Sequence, residues 1–228
     1  MIEIRWHGRG GQGAKSTSHL MALALLEAGL HVQAFPEYGP ERSGAPVMAY
    51  NRIDDAAIRR RNSVTRPDVV VVLDPTLLDD VDVTRGLPSE GLLLVNTEES
   101  PDELRPRHSH TGSTIVLPAD DMARAVGAKF SNMVILGALA AVLDKPPLDT
   151  LRRAALETFG HKLAPAQVRA TFAALEVGHS LVDPIQRWQK KLSDSSLDTI
   201  EGRDEMSVDA ISLPWSQLSM AGIISPER

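Results

Sequence analysis

The sequence predicts an α/β fold, with a doubly wound, mostly parallel sheet, C-terminal helices and an extended tail. Three observations predict it. The first 35 residues read as strand, glycine-rich turn, helix and strand. Later apolar runs at Val69–Leu73, Leu92–Val95 and Thr114–Leu117 have the continuous hydrophobicity of strands buried on both faces. From Ala119 to Gly178 the apolar spacing becomes helical.

Each element has its own signal. Ile2–Trp6 alternates apolar and polar residues, as a strand does. Gly8, Gly10, Gly11 and Gly13 form a turn, and Ser16–Ala28 carries a helical stripe of Leu20, Leu23 and Ala24 that Gly29 stops. Leu30–Phe35 is the second strand and closes a βαβ unit. Pro36–Pro46 is a loop rich in proline and glycine, and Val47–Ile53 is the third strand. The buried-type strands then end in Asp74-Pro75, Asn96-Thr97 and Pro118. Asp120 or Asp121 is expected to cap a helix reaching Val126, and Asn132 to cap Met133–Leu143, which is apolar almost all round. Leu148–Phe159 and Pro165–Gly178 are amphipathic, the second with its proline in the first turn. Composition shifts near Leu181. The chain therefore divides into a domain over 1–180 and a C-terminal arm over 181–228, with a short helix expected over 184–192.

Composition limits the chemistry. The chain has 228 residues, a net charge of -6 and no cysteine. It has no thiolate for an iron–sulfur cluster, a Cys-based zinc site, a disulfide or a cysteine nucleophile. The acidic balance argues against a general nucleic-acid binder. No apolar run approaches the roughly 20 residues that cross a bilayer, and no leader is visible, so no membrane contact and a cytoplasmic location are expected. No catalytic set is found: there is no G-x-S-x-G, no H-E-x-x-H, and the His108-x-His110 pair lacks further ligands, so no metal site is expected.

The candidate site is the glycine-rich turn. Gly8, Gly10 and Gly13 have G-x-G-x-x-G spacing between a strand and a helix. Glycines there let the backbone approach a ligand, and the helix start offers amides and a positive dipole end to an anion. Gln12 lies within the turn, and Lys15, Ser16 and Ser18 are candidate phosphate contacts. The alternative is a tight turn with no ligand. The acid that usually closes the second strand of a dinucleotide site is missing: Ala34-Phe35-Pro36 stands there, with Glu37 after the proline. A second candidate is the loop Tyr38–Pro46, whose Glu41 and Arg42 lie beyond a strand's carboxyl end, where open α/β sheets bind ligands. Asp74 ends a strand in the same way. The run Arg59-Arg60-Arg61 reads as a solvated face, with an interface or phosphate contact as the alternative.

Taken together, His7–Gly13, Gln33–Pro46 and Arg66-Pro67-Asp68 with Val71–Asp74 resemble the gamma subunit (domain III) of the 2-oxoacid:ferredoxin oxidoreductases, pyruvate or ketoisovalerate type. Asn132 and Leu136-Gly137-Ala138 match that family's late helix, and the likeness covers about residues 1 to 180. The resemblance implies a Rossmann-like domain that is non-catalytic by itself. It implies a subunit of a complex that decarboxylates a 2-oxoacid oxidatively to an acyl-CoA. Thiamine diphosphate, Mg and [4Fe-4S] clusters would sit on other subunits. Alpha, beta and delta-type subunits would be its partners, and ferredoxin or an NAD-linked flavin subunit would take the electrons. Gly8, Gly10, Gly11, Gln12, Gly13, Lys15 and Ser16 would share in binding coenzyme A. Glu41, Arg42 and Ser43 would face partner subunits, Ser43 standing where many relatives carry a second basic residue. The arm lies beyond the usual gamma subunit. Its Trp215–Leu218 and Gly222–Pro226 resemble the opening of the delta subunit, without the cysteines, and Trp215 is the expected anchor of a docking arm. Read from the residues alone, a stand-alone nucleotide-binding protein or an NAD(P)-dependent dehydrogenase is the alternative.

Overall fold

The computed structural model describes residues 1–37, 44–181 and the backbone of 210–211. The chain order is β1 (Ile2–Arg9), α1 (Ala14–Glu27), β2 (His31–Glu37), β3 (Pro46–Asp54), β4 (Val69–Val72), α2 (Leu77–Asp80), β5 (Leu92–Asn96), α3 (Pro101–Leu104), β6 (Ser113–Leu117), α4 (Ala119–Ala125), α5 (Asn132–Val142), α6 (Leu148–Phe159), α7 (Pro165–Ser180) and a two-residue β7 (Ala210–Ile211). The strands form one sheet in the order β2-β3-β1-β4-β5-β6-β7.

The expected mostly parallel α/β sheet is present, with one difference near its start. β1 and β2 do not pair. β3 lies between them, antiparallel to both, and runs against β1 from Ile2↔Ile53 to Arg9↔Pro46. β1, β4, β5 and β6 pair in parallel. The β1-α1-β2 unit is thus a split crossover. β3 takes the hydrogen bonds to β1 that β2 would make in a continuous βαβ unit.

The two faces are covered unequally. Ile4, Trp6, Val69, Val71, Leu94 and Ile115 point into one large core beneath α1, α4, α5, α6 and α7. Val70, Val72, Leu93, Val95 and Val116 point the other way, under Leu77, Leu78 and Leu104 of short helical turns. This explains why Val69–Val72 and Leu92–Val95 carry no polar residue, the buried Asn96 standing only at the end of β5. The β3–β1 end of the second face is polar instead. There Arg52, 1% exposed, pairs with Glu3 at 2.7 Å and lies over the Phe35 ring.

Long-range polar contacts tie α1 to the sheet and set the start of α4. Trp6 Nε1 donates to Asn51 Oδ1 and Asn51 Nδ2 donates to the Ser18 carbonyl, tying α1 to β1 and β3. The start of α4 differs from the sequence expectation. Neither Asp120 nor Asp121 caps it; Asn96, at the end of β5, accepts from the Ala119 N–H at 3.0 Å. Asn132 likewise lies inside the first turn of α5 and does not cap it.

Candidate functional site

The site is built at the carboxyl end of β1. That strand runs past the glycines' start to Arg9, and the turn Gly10–Gly13 delivers the chain into α1. Gly11 has φ +100 and Gly13 φ +86, conformations that side-chain-bearing residues rarely adopt. A Cβ on Gly11 would meet nothing within 4 Å, so the turn's backbone is open on that side. A Cβ on Gly13 would lie 2.5 Å from Asn132 Nδ2. Asn132 comes that close because its amide donates to Thr17 Oγ1, which itself donates to the Gly13 carbonyl. Gly8 packs closely: a Cβ there would lie 3.3 Å from the Ala14 Cβ.

The helix start is chemically receptive. No side chain caps α1, and its first turn holds no acid. Lys15 and Ser16 are exposed beside it. These conditions favour an anion at the amides of the first turn. Ser18 does not contribute, because it is buried and its hydroxyl donates to the Lys15 carbonyl.

Gln12 braces the turn. Its Oε1 accepts from the Arg9 N–H at 2.7 Å and its Nε2 donates to Asp74 Oδ2 at 2.7 Å. Asp74 also accepts from the Thr76 N–H and hydroxyl. Burial alone would raise this carboxyl, but the bonds from Thr76 and Gln12 and the Arg9 charge together hold it below the usual range. The Arg9 guanidinium reaches Thr76 Oγ1, Asp80 Oδ2 and the Gly44 carbonyl. The Gly10 N–H donates to the Ala45 carbonyl and the Gly44 N–H donates to the Gly10 carbonyl, so the glycine-rich turn and the outlet of the Tyr38–Pro46 loop are bonded together. Glu37, at the loop's inlet, accepts from the Tyr50 hydroxyl.

Next to this unit, Asn96 joins the ends of β4 and β5 to α4, donating to the Leu73 carbonyl and Asp120 Oδ2. Pro75, Thr97, Glu98, Glu99 and Asp120 line a crevice of about 250 Å³ there. On the helical side, Lys129, Phe130, Asn132, Met133, Phe159 and Leu163 line an apolar cleft of about 220 Å³. No group of three or more His, Cys, Asp or Glu that could hold a metal occurs among the described residues.

His7 opens the motif but does not titrate usefully. It is buried, and its Nε2 accepts from Arg5 Nε at 3.0 Å. Burial and the Arg5 charge push its pKa down to about 3. The folded chain therefore refuses a proton that the unfolded chain accepts near pH 6.5. Stability from this residue is complete above that pH and is lost as pH falls toward 3. Between pH 7 and pH 5 the loss is expected to be about 2 kcal/mol. Urea unfolding at both pH values checks it, and His7→Gln should remove that increment of the difference between them. An unchanged pH dependence in the variant would refute the assignment.

Gly8, Gly10, Gly11, Gln12, Gly13, Lys15 and Ser16 lie along the end of β1, the turn and the first turn of α1. Glu41, Arg42, Ser43, Trp215 and the short helix expected over 184–192 lie outside the described residues. Sequence reasoning missed the bracing roles of Arg9, Gln12, Thr76 and Asn96. Asp74 at a strand end was a visible signal; the identity of its partners was not.

A sequence profile described as pyruvate ferredoxin/flavodoxin oxidoreductase matches residues 3–181. Pyruvate synthase subunit PorC of Thermotoga maritima is 45% identical over 182 residues, 79% of this chain and 94% of that protein. The common subunit gamma of the pyruvate/ketoisovalerate oxidoreductases of Thermococcus kodakarensis is 45% identical over 172 residues, 75% and 93% of the two chains. Among solved structures, the pyruvate oxidoreductase subunit PORC from Thermotoga maritima superposes with a TM-score of 0.69 at 41% identity, covering 78% of this chain and 95% of that one.

Proposed function

The chain belongs to the pyruvate ferredoxin/flavodoxin oxidoreductase family, and from that premise we propose that its glycine-rich turn holds the phosphate-bearing part of coenzyme A within a 2-oxoacid oxidoreductase. The chain is the gamma subunit of such an enzyme, an oxidoreductase acting on oxo groups. Thiamine diphosphate, Mg and the iron–sulfur clusters are carried by other subunits, of alpha, beta and delta type. The electrons pass to ferredoxin or to an NAD-linked flavin subunit. Glu41, Arg42, Ser43 and Trp215 are read as facing those partners, and the arm after Leu181 as an assembly element. No helix among the described residues is long and apolar enough to cross a membrane, and the complex is read as cytoplasmic.

One observation carries the coenzyme A reading: an uncapped helix start without acids, reached through an open glycine backbone and flanked by Lys15 and Ser16. The residues fit a phosphate. Amides of the first turn would donate hydrogen bonds to its oxygens, and Lys15 would add a cation. Coenzyme A supplies a thiol that receives the acyl group. This chain's own part is positional. Gln12 and Asp74 hold the turn's shape, Asn132 and Thr17 fix its last residue, and neither Asp74 nor neutral His7 is placed to move a proton. Lys15→Gln in the assembled enzyme should raise KM for coenzyme A about tenfold, the loss of one charge-assisted contact, with kcat and KM for the 2-oxoacid unchanged. Unaltered coenzyme A affinity in both kinetics and equilibrium binding would refute it.

A further inference from the structure

At the pole opposite the candidate site, the segment Ala56–Pro67 carries four arginines and no acid, in a chain of net charge -6. Arg59, Arg60 and Arg61 are all exposed, and none forms an ion pair among the described residues. Their display is built from within. Buried Arg52 donates to the carbonyls of Arg60 and Asn62, at 3.4 and 2.5 Å. Gln33 Nε2 donates to the Ile58 carbonyl at 3.2 Å, and Val64 is buried as an anchor. These bonds draw the carbonyls inward and turn the three guanidinium groups outward. The surrounding acids are largely engaged. Asp54 pairs with the N-terminal ammonium and accepts from the Ala56 N–H, and Asp68 accepts from the Glu3 N–H. Asp55 at the loop's start and Asp68 just past its end remain exposed. A fixed run of like charges adds self-repulsion and no stability. Its value lies in what it meets.

We propose that Arg59, Arg60 and Arg61 form a docking surface for a carboxylate-rich face of a neighbouring subunit in the oxidoreductase complex. The inference rests on the gamma-subunit reading given above. A protein partner fits better than a nucleic acid, because the rest of the chain is acidic and the patch is short. Arginine suits it, since its planar fork pairs with carboxylates two bonds at a time. The patch lies away from the glycine-rich turn, so docking leaves that turn accessible.

The test is reconstitution of the holoenzyme from this subunit and its partners across a salt series. Wild-type association should slow as salt rises. The triple variant R59Q/R60Q/R61Q should associate about tenfold more slowly at low salt and lose most of the salt dependence. R59E/R60E/R61E should fail to assemble at physiological salt. Both variants should melt like the wild-type subunit alone, which separates docking from folding. Equal association rates for wild type and the glutamine variant would overturn the proposal while leaving the gamma-subunit reading intact. A wild-type subunit that joins no complex would overturn both. Arginine-dependent binding to a polynucleotide with unchanged assembly would overturn the docking proposal in favour of nucleic acid.

Discussion

Gly178→Ala is expected to lower the unfolding free energy by about 4 kcal/mol and the melting temperature by about 10 °C. α5 and α7 cross at two glycines. A Cβ on Gly178 would fall 1.9 Å from the Val134 carbonyl oxygen, and one on Gly137 would fall 2.1 Å from the Leu175 carbonyl oxygen. Neither obstacle is a flexible side chain; each is helical backbone, so a whole helix must move away. That movement opens the core around Ile135, Leu139, Ala174 and Leu175, all 0–1% exposed. Gly127→Ala is the control. Its φ is +72 but its Cβ would meet nothing within 4 Å, so it should cost only about 1 kcal/mol. Thermal melts of the three chains measure the difference. Equal losses for the 127 and 178 variants would show that backbone conformation, and not the crossing, is what matters.

Arg52→Met should cost about 3–5 kcal/mol, the usual result of stripping one partner from a buried ion pair. Arg52 is nearly inaccessible, and its removal leaves Glu3 unpaired as well as the carbonyls of Arg60 and Asn62 without their donor. The methylenes of Met still fill the space against Phe35, so the loss reads the polar groups and not a cavity. Adding Glu3→Gln should restore roughly 1–2 kcal/mol, since the uncompensated charge is gone. The remainder belongs to the 58–62 loop. Urea unfolding of the single and double variants gives both numbers. A single variant that loses less than about 1 kcal/mol would show that water reaches Glu3 and that the pair holds nothing.

Much of this was legible in the chain. Val69–Val72 had to be a central strand because four β-branched residues in a row leave no solvent face. α6, Leu148–Phe159, falls where its apolar periodicity places it. The glycine-rich turn was legible because positive φ is written into residue type, and the geometry at Gly11 and Gly13 agrees. Other features were hidden by distance along the chain. β3 reads as a strand, but its insertion between β1 and β2 is a choice of partner. The α4 start looked like the work of Asp120, its neighbour. The actual acceptor is Asn96, 23 residues earlier, which no local rule for helix caps would select.

By itself, then, the sequence determined the α/β class, the strand–turn–helix at residues 2–27 and the family. These depend on φ/ψ preference, periodicity and motif, each expressed within a few consecutive residues. Tertiary structure alone decided the rest: the Gln12–Asp74 brace, the Asn132–Thr17 latch spanning 115 residues, the α5–α7 crossing at Gly137 and Gly178, and the inward anchoring that turns Arg59–Arg61 to solvent. Each depends on which distant groups packing brings within about 3 Å, and pairing across such separations leaves no mark in any single stretch of chain.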